Sequence, residues 1–410
     1  MKKKQLYLLL LAVVLVVSLV TACASGTSEP TEAEGEGSEP SGSETETNDE
    51  ATTEESEDDV IKIGVIVSET GPASSLGKPE SDAVKLIQQE LEENGGEVNG
   101  KKVEIIVEDY ETDDTKAVVA AKRLISEENV VALVAASQAS ATMAVLGEAA
   151  QENIPVLALA PIDQHPENVF QIPQSNETVL NLVIDYLEEH GIDKVAWIQA
   201  RDTFGQSGLS VFEELAEAND IELVAIEEFE PNDTDMTVQL TKIRSEEPGA
   251  IIVWSRPPGA GIVAKNFKQL GFDIPMFQSH AVANQGFLDQ LGDEGDDILV
   301  LGSKMSVVDQ LPDSEQKTMF EEYDKQFSDA FGYDGGAFSG YAYDGVNVVL
   351  KAIEDGNFTP EEVRDYLEND LGEYMGISGT FNFSPDHRDG PENDGMTILR
   401  IQDGQWMYDE

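Results

Sequence analysis

From residue 60 onward, short apolar runs alternate with stretches whose apolar positions recur every three or four residues. Residues 61–67 are almost continuously apolar and predict a buried strand. Residues 76–93 predict a helix with Ala83, Leu86, Ile87 and Leu91 on one face, ended by Asn94-Gly95-Gly96. The same logic predicts a strand over 103–107 and a helix starting at Asp113 and Asp114, with Ala117, Ala120, Ala121 and Leu124 on its apolar face. A strand over 130–134, a helix over 140–153 and a strand over 155–159 follow. The rhythm then restarts, with helices over 179–189, 208–218, 236–243 and 263–270 alternating with strands over 194–198, 221–229 and 250–254. Strands of buried type alternating with helices predict βαβ units and parallel sheets. The last hundred residues are less regular. They predict helices over 316–331 and 341–354, and β segments over 379–383, 396–401 and 405–407.

The first sixty residues read differently. Lys2, Lys3 and Lys4 precede an apolar run over 6–20 broken only by Ser18, and Val20-Thr21-Ala22 leads to Cys23, the sole cysteine. A positive start, an apolar stretch and small residues before a cut describe a secretory signal. With the cysteine directly after the small residue, the segment resembles a bacterial lipoprotein signal, which implies removal of 1–22 and lipid attachment at Cys23. An uncleaved anchor would need about twenty apolar residues. Residues 24–59 hold fourteen acidic side chains and no aromatic, Lys or Arg. Such a segment cannot bury enough apolar surface to order itself, so 23–59 reads as an acidic tether.

The charge balance changes the list of partners. The chain has 81 Asp+Glu against 25 Lys+Arg, a net charge of −56. This argues against nucleic acid and anionic lipid as partners. It also suggests a saline habitat, in which counterions screen the acidic surface. One cysteine allows no intramolecular disulfide and no cysteine-rich metal site.

Six stretches, in order, carry a resemblance. They are Ile61-Lys62-Ile63-Gly64-Val65 followed by Thr70-Gly71-Pro72-Ala73; Asn94-Gly95-Gly96 with Val98-Asn99-Gly100-Lys101; Val107-Glu108-Asp109; Phe204-Gly205-Gln206; Asn232-Asp233-Thr234-Asp235; and Gln239-Leu240-Thr241-Lys242-Ile243. Together they resemble the leucine/isoleucine/valine-binding type of extracytoplasmic solute-binding protein, over about residues 61–406. The resemblance implies an α/β type I periplasmic binding fold with two Rossmann-like lobes, three crossovers and a hinge. Crossovers are expected near Gln174, Val300 and Gly395. Lobe 1 is then 60–174 plus 301–395, and lobe 2 is 175–300 plus 396–410. It further implies a lipid-anchored monomer outside the cytoplasm that captures an amino acid or small carboxylate and hands it to the permease subunits of an ABC transporter. A sensor that presents solute to a receptor kinase or chemoreceptor is the alternative.

The resemblance also implies site residues. Ser137 or Ser140, on the loop that opens a helix, would hold a ligand carboxylate with the helix-start N–H groups; Ser140 could equally be only a helix cap. Ala160 and Ile162 match further polar contacts, which Ile162 can supply only through its backbone. Phe204 stands where the family has an aromatic against the ligand. Arg256 and His280 depart from the amino-acid-binding pattern: a histidine at 280 replaces an acidic residue and supplies no fixed negative charge. An arginine favours carboxylate partners. The two point to an anionic or neutral solute. Phe338 and Tyr341, the latter expected at a helix start, are aromatic candidates.

Enzyme readings find little support. Gly259-Ala260-Gly261-Ile262-Val263-Ala264 fits a dinucleotide fingerprint but lacks the acidic residue about twenty positions on. There is no G-x-S-x-G elbow. The four histidines, His165, His190, His280 and His387, have no metal-ligand spacing. No cofactor and no metal are expected.

Overall fold

The computed structural model describes residues 60–162 and 165–409. The signal segment, Cys23 and the tether lie outside the described residues.

The first sheet contains β1 (Val60–Val67), β2 (Glu97–Val98), β3 (Lys101–Asp109), β4 (Ala132–Ala135), β5 (Val156–Ala158) and β6 (Val169–Gln171), in the order β2-β3-β1-β4-β5-β6. Every pairing is parallel except the short β2–β3 hairpin. Three helices connect these strands: α1 (Ser74–Glu93), α2 (Asp114–Ser126) and α3 (Ala139–Gln151). Asp113 caps α2 by accepting the Thr115 N–H, which fixes the start that the sequence predicts.

The second lobe repeats the plan. Helices α4 (Asn176–Glu189), α5 (Thr203–Ala218), α6 (Thr237–Ser245), α7 (Gly259–Leu270) and α8 (Gln285–Leu291) alternate with β7 (Lys194–Ala200), β8 (Glu222–Phe229), β9 (Ala250–Trp254), β10 (Met276–Gln278) and β11 (Leu299–Ser303). The chain then forms α9 (Glu315–Phe331), α10 (Ala337–Glu354) and α11 (Pro360–Asn369). A small hairpin of β12 (Tyr374–Met375) and β13 (Thr380–Phe381) follows, and the chain closes with β14 (Met396–Gln402) and β15 (Gln405–Tyr408). The second sheet has the order β15-β14-β11-β10-β9-β7-β8, with β14 and β15 antiparallel. Each sheet is covered on both faces, as parallel sheets require. One apolar cluster runs through both lobes, and two others fill the outer faces beneath α2 and α3 and beneath α4 and α5.

The chain passes between sheets three times. It leaves the first sheet after β6, returns after β11 through a 3₁₀ segment to α9 and α10, and leaves again between β13 and β14. Helix α10 packs along α1, which places it on the first lobe. The second passage, expected near Val300, comes after Ser303. Val300 is fully buried in β11, aligned with Gln278 on one side and Leu399 on the other. The boundary at 300/301 therefore falls inside a central strand, which pairs with β14 through Ser303.

Two passages meet at one loop. Gln174 Nε2 donates to the Ser378 carbonyl. Gly395 sits so close that a Cβ would stand 2.0 Å from the same oxygen. Asp344, buried on α10, accepts the N–H groups of Ile377 at 2.9 Å and Ser378 at 2.6 Å. A helix of the first lobe thus anchors the connection between the lobes.

Candidate functional site

In doubly wound sheets the loops at the carboxyl ends of the strands form the crevice. On the first lobe these are the loops after β1, β4 and β5. Gly77 lets α1 lie against the first of them: a Cβ there would stand 2.3 Å from the Ser68 carbonyl oxygen. Less than one turn further, Glu80 is completely buried beneath the β4–α3 loop. Ser137 Oγ accepts the Ser68 N–H at 2.9 Å and donates to Glu80 Oε2. Burial pushes the Glu80 carboxyl well above the usual range, with the Ser137 bond opposing it. Among the described residues the second oxygen, Glu80 Oε1, has no hydrogen-bond partner, and the Tyr110 hydroxyl lies beside Ser137 and Ser68 without a well-aligned bond to either.

Ser137 and Ser140 separate here. Helix α3 starts at Ala139 behind Gln138, which makes no side-chain cap bond. Ser140 lies in the first turn, exposed, with its hydroxyl 3.2 Å from Asp114 Oδ1. It is not the cap, and its hydroxyl is turned to α2. Ser137 is 4% exposed and joined to Glu80.

Ala160 and Ile162 are buried after β5. The Ile162 N–H, its one donor, goes to Gln171 Oε1 at 2.8 Å. This donor is thus engaged inside the lobe, at an oxygen that His165 Nε2 also approaches at 3.2 Å.

On the second lobe, helix α5 begins five residues before its predicted start. Asp202 caps it through the Gly205 N–H at 2.8 Å, and this places Phe204 in the first turn. The rings of Phe204, Trp254 and His280 form a triangle with centroid separations of 5.5, 5.5 and 5.6 Å. Burial lowers the His280 pKa to about 4, and Nδ1 has no partner. At neutral pH the ring is uncharged. Arg256 Nη2 lies 3.0 Å from Asp202 Oδ2, and its guanidinium stands 5.3 Å from the Phe204 ring centre. Its charge is thus matched within the lobe rather than left for an anion.

Helix α10 starts at Ala337, so Phe338 is in the first turn and Tyr341 in the second, not at a helix start. The reason is local: Ser339 Oγ accepts the Gly336 N–H at 2.9 Å and fixes the first turn ahead of the apolar stretch. Tyr341 is 3% exposed. Its hydroxyl is pushed up by burial and by the nearby Glu80 and Asp344. Tyr110, Ser137, Glu80 and Tyr341 therefore form a buried polar group that sequence reasoning did not assemble. A signal existed: Glu80 continues the row Leu76, Ala83 and Ile87 on the inner face of α1. Among 81 acids it did not stand out.

Two openings are bordered by candidate residues. One, about 640 Å³, lies between Ser74 and Lys78 of α1, Asn284, Met305, Tyr333 and Phe338. The other, about 500 Å³, is bordered by Ile162, His165, Asn176, Ser207 and Arg388. Helices α3 and α5 touch. Phe338 and Ile162 are the two candidates that reach an opening; the others do not line either one. Among the described residues no acidic, His and Cys cluster has the arrangement of a metal site.

The profile of the periplasmic binding proteins matches residues 60–405. The chain belongs to that family. A relative among periplasmic binding proteins, the leucine-, isoleucine-, valine-, threonine- and alanine-binding protein of Pseudomonas aeruginosa, is 22% identical over 75% of this chain and 82% of its own. An extracellular ligand-binding receptor from Rhodopseudomonas palustris superposes with a TM-score of 0.79 at 22% identity, covering 86% of this chain and 100% of its own. A solute-binding protein of an ABC transporter from the same species, solved with 3,4-dihydroxybenzoic acid, gives 0.71 at 21% identity, with 85% and 96% covered. These likenesses establish the type I periplasmic binding fold, and the family is one of binding proteins rather than enzymes.

Proposed function

We propose that this periplasmic binding protein is the extracytoplasmic capture component of an ABC uptake transporter. It takes a small solute bearing a carboxylate between its lobes and delivers it to permease subunits in the membrane. The observation that carries this reading is the contact between α3, whose start beside Ser137 has no side-chain cap, and α5, which carries Phe204 of the Phe204, Trp254 and His280 wall. A helix start favours an anion, and the aromatic wall favours an apolar or aromatic body. The one acid in the second-lobe loops after β7, β9 and β10 is Asp202, and Arg256 holds it. An ammonium finds no free carboxylate there. This favours a carboxylate without an amine, such as the aromatic acid named in the Rhodopseudomonas structure. A branched-chain amino acid, which the Pseudomonas relative's name supports, is the second reading.

Cys23 is the lipid attachment point in this account, and the acidic segment 23–59 tethers a monomer to the outer membrane face. The lobes close by bending at the three passages, so ligand shifts a population of open molecules to closed ones. The alternative role, presentation of solute to a receptor kinase or chemoreceptor, uses the same site.

A thermal-shift screen of the purified protein in molar salt tests the reading. Leucine, isoleucine and valine are set against aromatic and aliphatic carboxylates. A ligand at a hundred times its Kd adds about 2.7 kcal/mol, a visible shift. A shift with amine-free carboxylates is expected. A shift with branched-chain amino acids alone overturns the preference for amine-free solutes, and no shift with any carboxylate overturns the capture reading.

A further inference from the structure

Ser137 has one proton to donate and two lone pairs to accept with. One lone pair takes the Ser68 N–H at 2.9 Å. The remaining geometry depends on Glu80, fully buried against the same oxygen. If Glu80 is ionised it can only accept, so the Ser137 proton points inward and the face left over is a lone pair. If Glu80 carries a proton it donates to Ser137, which then accepts twice and has its own proton free for another acceptor, the neighbouring Tyr110 hydroxyl or a solute. Switching Glu80 reverses what Ser137 offers.

We infer that Glu80 is a proton-linked positioning residue for the solute site, which sets Ser137 as a donor to a solute carboxylate when protonated and as an acceptor when ionised. This rests on the capture reading above. Anion capture is then coupled to the Glu80 proton, and affinity for a carboxylate falls as pH rises through the Glu80 transition. No cation stands ready to prevent protonation. The groups facing Glu80 are Tyr110 from the β3–α2 connection and Tyr341 from α10, both neutral at ordinary pH, besides Ser137 itself. Asp114 and Asp344, which act on those tyrosines, add negative charge and favour the neutral carboxyl. On α1, Lys78 and Asp82 are paired with each other at 2.6 Å. Burial with one bonded and one unpartnered oxygen also favours the neutral form at rest. The Tyr110 hydroxyl, beside Ser137 and Ser68, can turn to suit either setting of Ser137.

Two measurements test the inference. The first needs no ligand. Infrared difference spectra of the protein against E80Q are recorded as pH is raised from about 5 to 8, a span above the ordinary carboxyl range. A protonated-carboxyl band assigned to residue 80 is expected within this span; its absence throughout overturns the inference. The second is titration calorimetry with 3,4-dihydroxybenzoate and with leucine over the same span, in which both probes keep their carboxylates ionised. Wild-type affinity for the probe that binds should fall roughly tenfold once Glu80 ionises, the scale of one hydrogen bond to a charged group. In E80Q the amide N–H₂ donates to Ser137 at every pH, so the high affinity should persist and the slope vanish. S137A should bind weakly with no Glu80-linked slope, while any slope from Asp344 survives in it. If E80Q does not fold, the S137A comparison decides. An E80Q slope equal to wild type, or a wild-type slope retained in S137A, overturns the inference. If neither probe binds, the capture reading falls and the solute part of the inference with it, while the infrared result still reports on Glu80 alone.

Discussion

Asp202 serves two elements at once: Oδ1 caps α5 at the Gly205 N–H, 2.8 Å away, and Oδ2 holds Arg256 Nη2 at 3.0 Å. The cap fixes the helix start that carries Phe204, and the ion pair holds the guanidinium near the Phe204 ring. One carboxylate therefore positions the aromatic wall and cancels the positive charge of its loop.

Replacing Asp202 by Asn separates these roles. Asn caps as well as Asp, so the α5 start should survive. The lost pair is partly exposed and is worth about 0.2–1 kcal/mol, so the melting temperature should drop only slightly. Arg256 is then unmatched, and binding of a carboxylate probe should tighten several-fold in calorimetry at low salt. Unchanged or weaker binding in D202N would mean that Arg256 does not reach the solute.

Two buried groups should bend the pH profile in opposite directions. The His280 pKa falls from an ordinary 6.5 to about 4 on folding, because burial disfavours its charge. Its contribution is present above 6.5 and lost as pH drops toward 4. The Asp344 pKa rises from 3.8 to about 6, also through burial, which outweighs its bonds to Ile377 and Ser378. Its contribution is present below 3.8 and lost as pH climbs through about 6. Each shift corresponds to about 3 kcal/mol at most. In the wild type the two slopes offset over the same interval, and Glu80 adds to the Asp344 side. H280L should uncover a fall in stability from pH 4 to 6, and D344N a fall in the acid direction. Chemical denaturation at half-unit steps would read this. Parallel wild-type and variant profiles would show that neither group titrates as its surroundings demand.

The strands were the most legible part of this fold. Runs such as Ile63 to Val67 and Ala250 to Trp254 are buried on both sheet faces, so their composition alone marks them. Helix starts were less legible. Helices α5 and α10 open with Thr203-Phe204-Gly205 and Ala337-Phe338-Ser339, where an Asp cap and a Ser–backbone bond decide the first turn ahead of the apolar stretch. The site was legible only in part. Ser137 could be chosen as a strand-end hydroxyl, but its partner Glu80 is 57 residues away, and Arg256 lies 54 from Asp202. Pairings across such separations follow from the packing of α1 on β1 and of α5 beside β9, and no local pattern encodes them.

Gly77→Ala tests whether the packing of α1 sets up Ser137. The new methyl would meet backbone atoms of Ser68 at 2.3–2.5 Å, and backbone cannot swing aside as a side-chain tip can. Helix α1 must retreat, which loosens the Ser68, Ser137 and Glu80 chain. A loss of about 1–3 kcal/mol is expected, the range for overpacking, with weaker carboxylate binding. The near-ultraviolet signal of Trp197 and Trp254, stacked 5.6 Å apart in the other lobe, should not change. Normal binding in G77A would show that Ser137 is positioned without α1.

The surface charge sets the last prediction. With 81 acids against 25 bases, the chain repels itself at low ionic strength. The Debye length shrinks from about 10 Å at 0.1 M salt to about 3 Å at 1 M, so added salt removes most of that repulsion. Most ion pairs of the described residues have at least one exposed partner, and several are exposed on both sides, so screening them costs little. The melting temperature should therefore rise steeply between 0.1 M and 1 M sodium chloride and level off beyond, unlike that of a charge-balanced relative. Sodium chloride and potassium chloride should act alike if screening is the cause, whereas an uncharged osmolyte at equal osmolality should not reproduce the steep early rise. A melt that does not depend on salt would mean that the acids are spaced widely enough for repulsion not to matter, and the saline-habitat reading of the composition would fall.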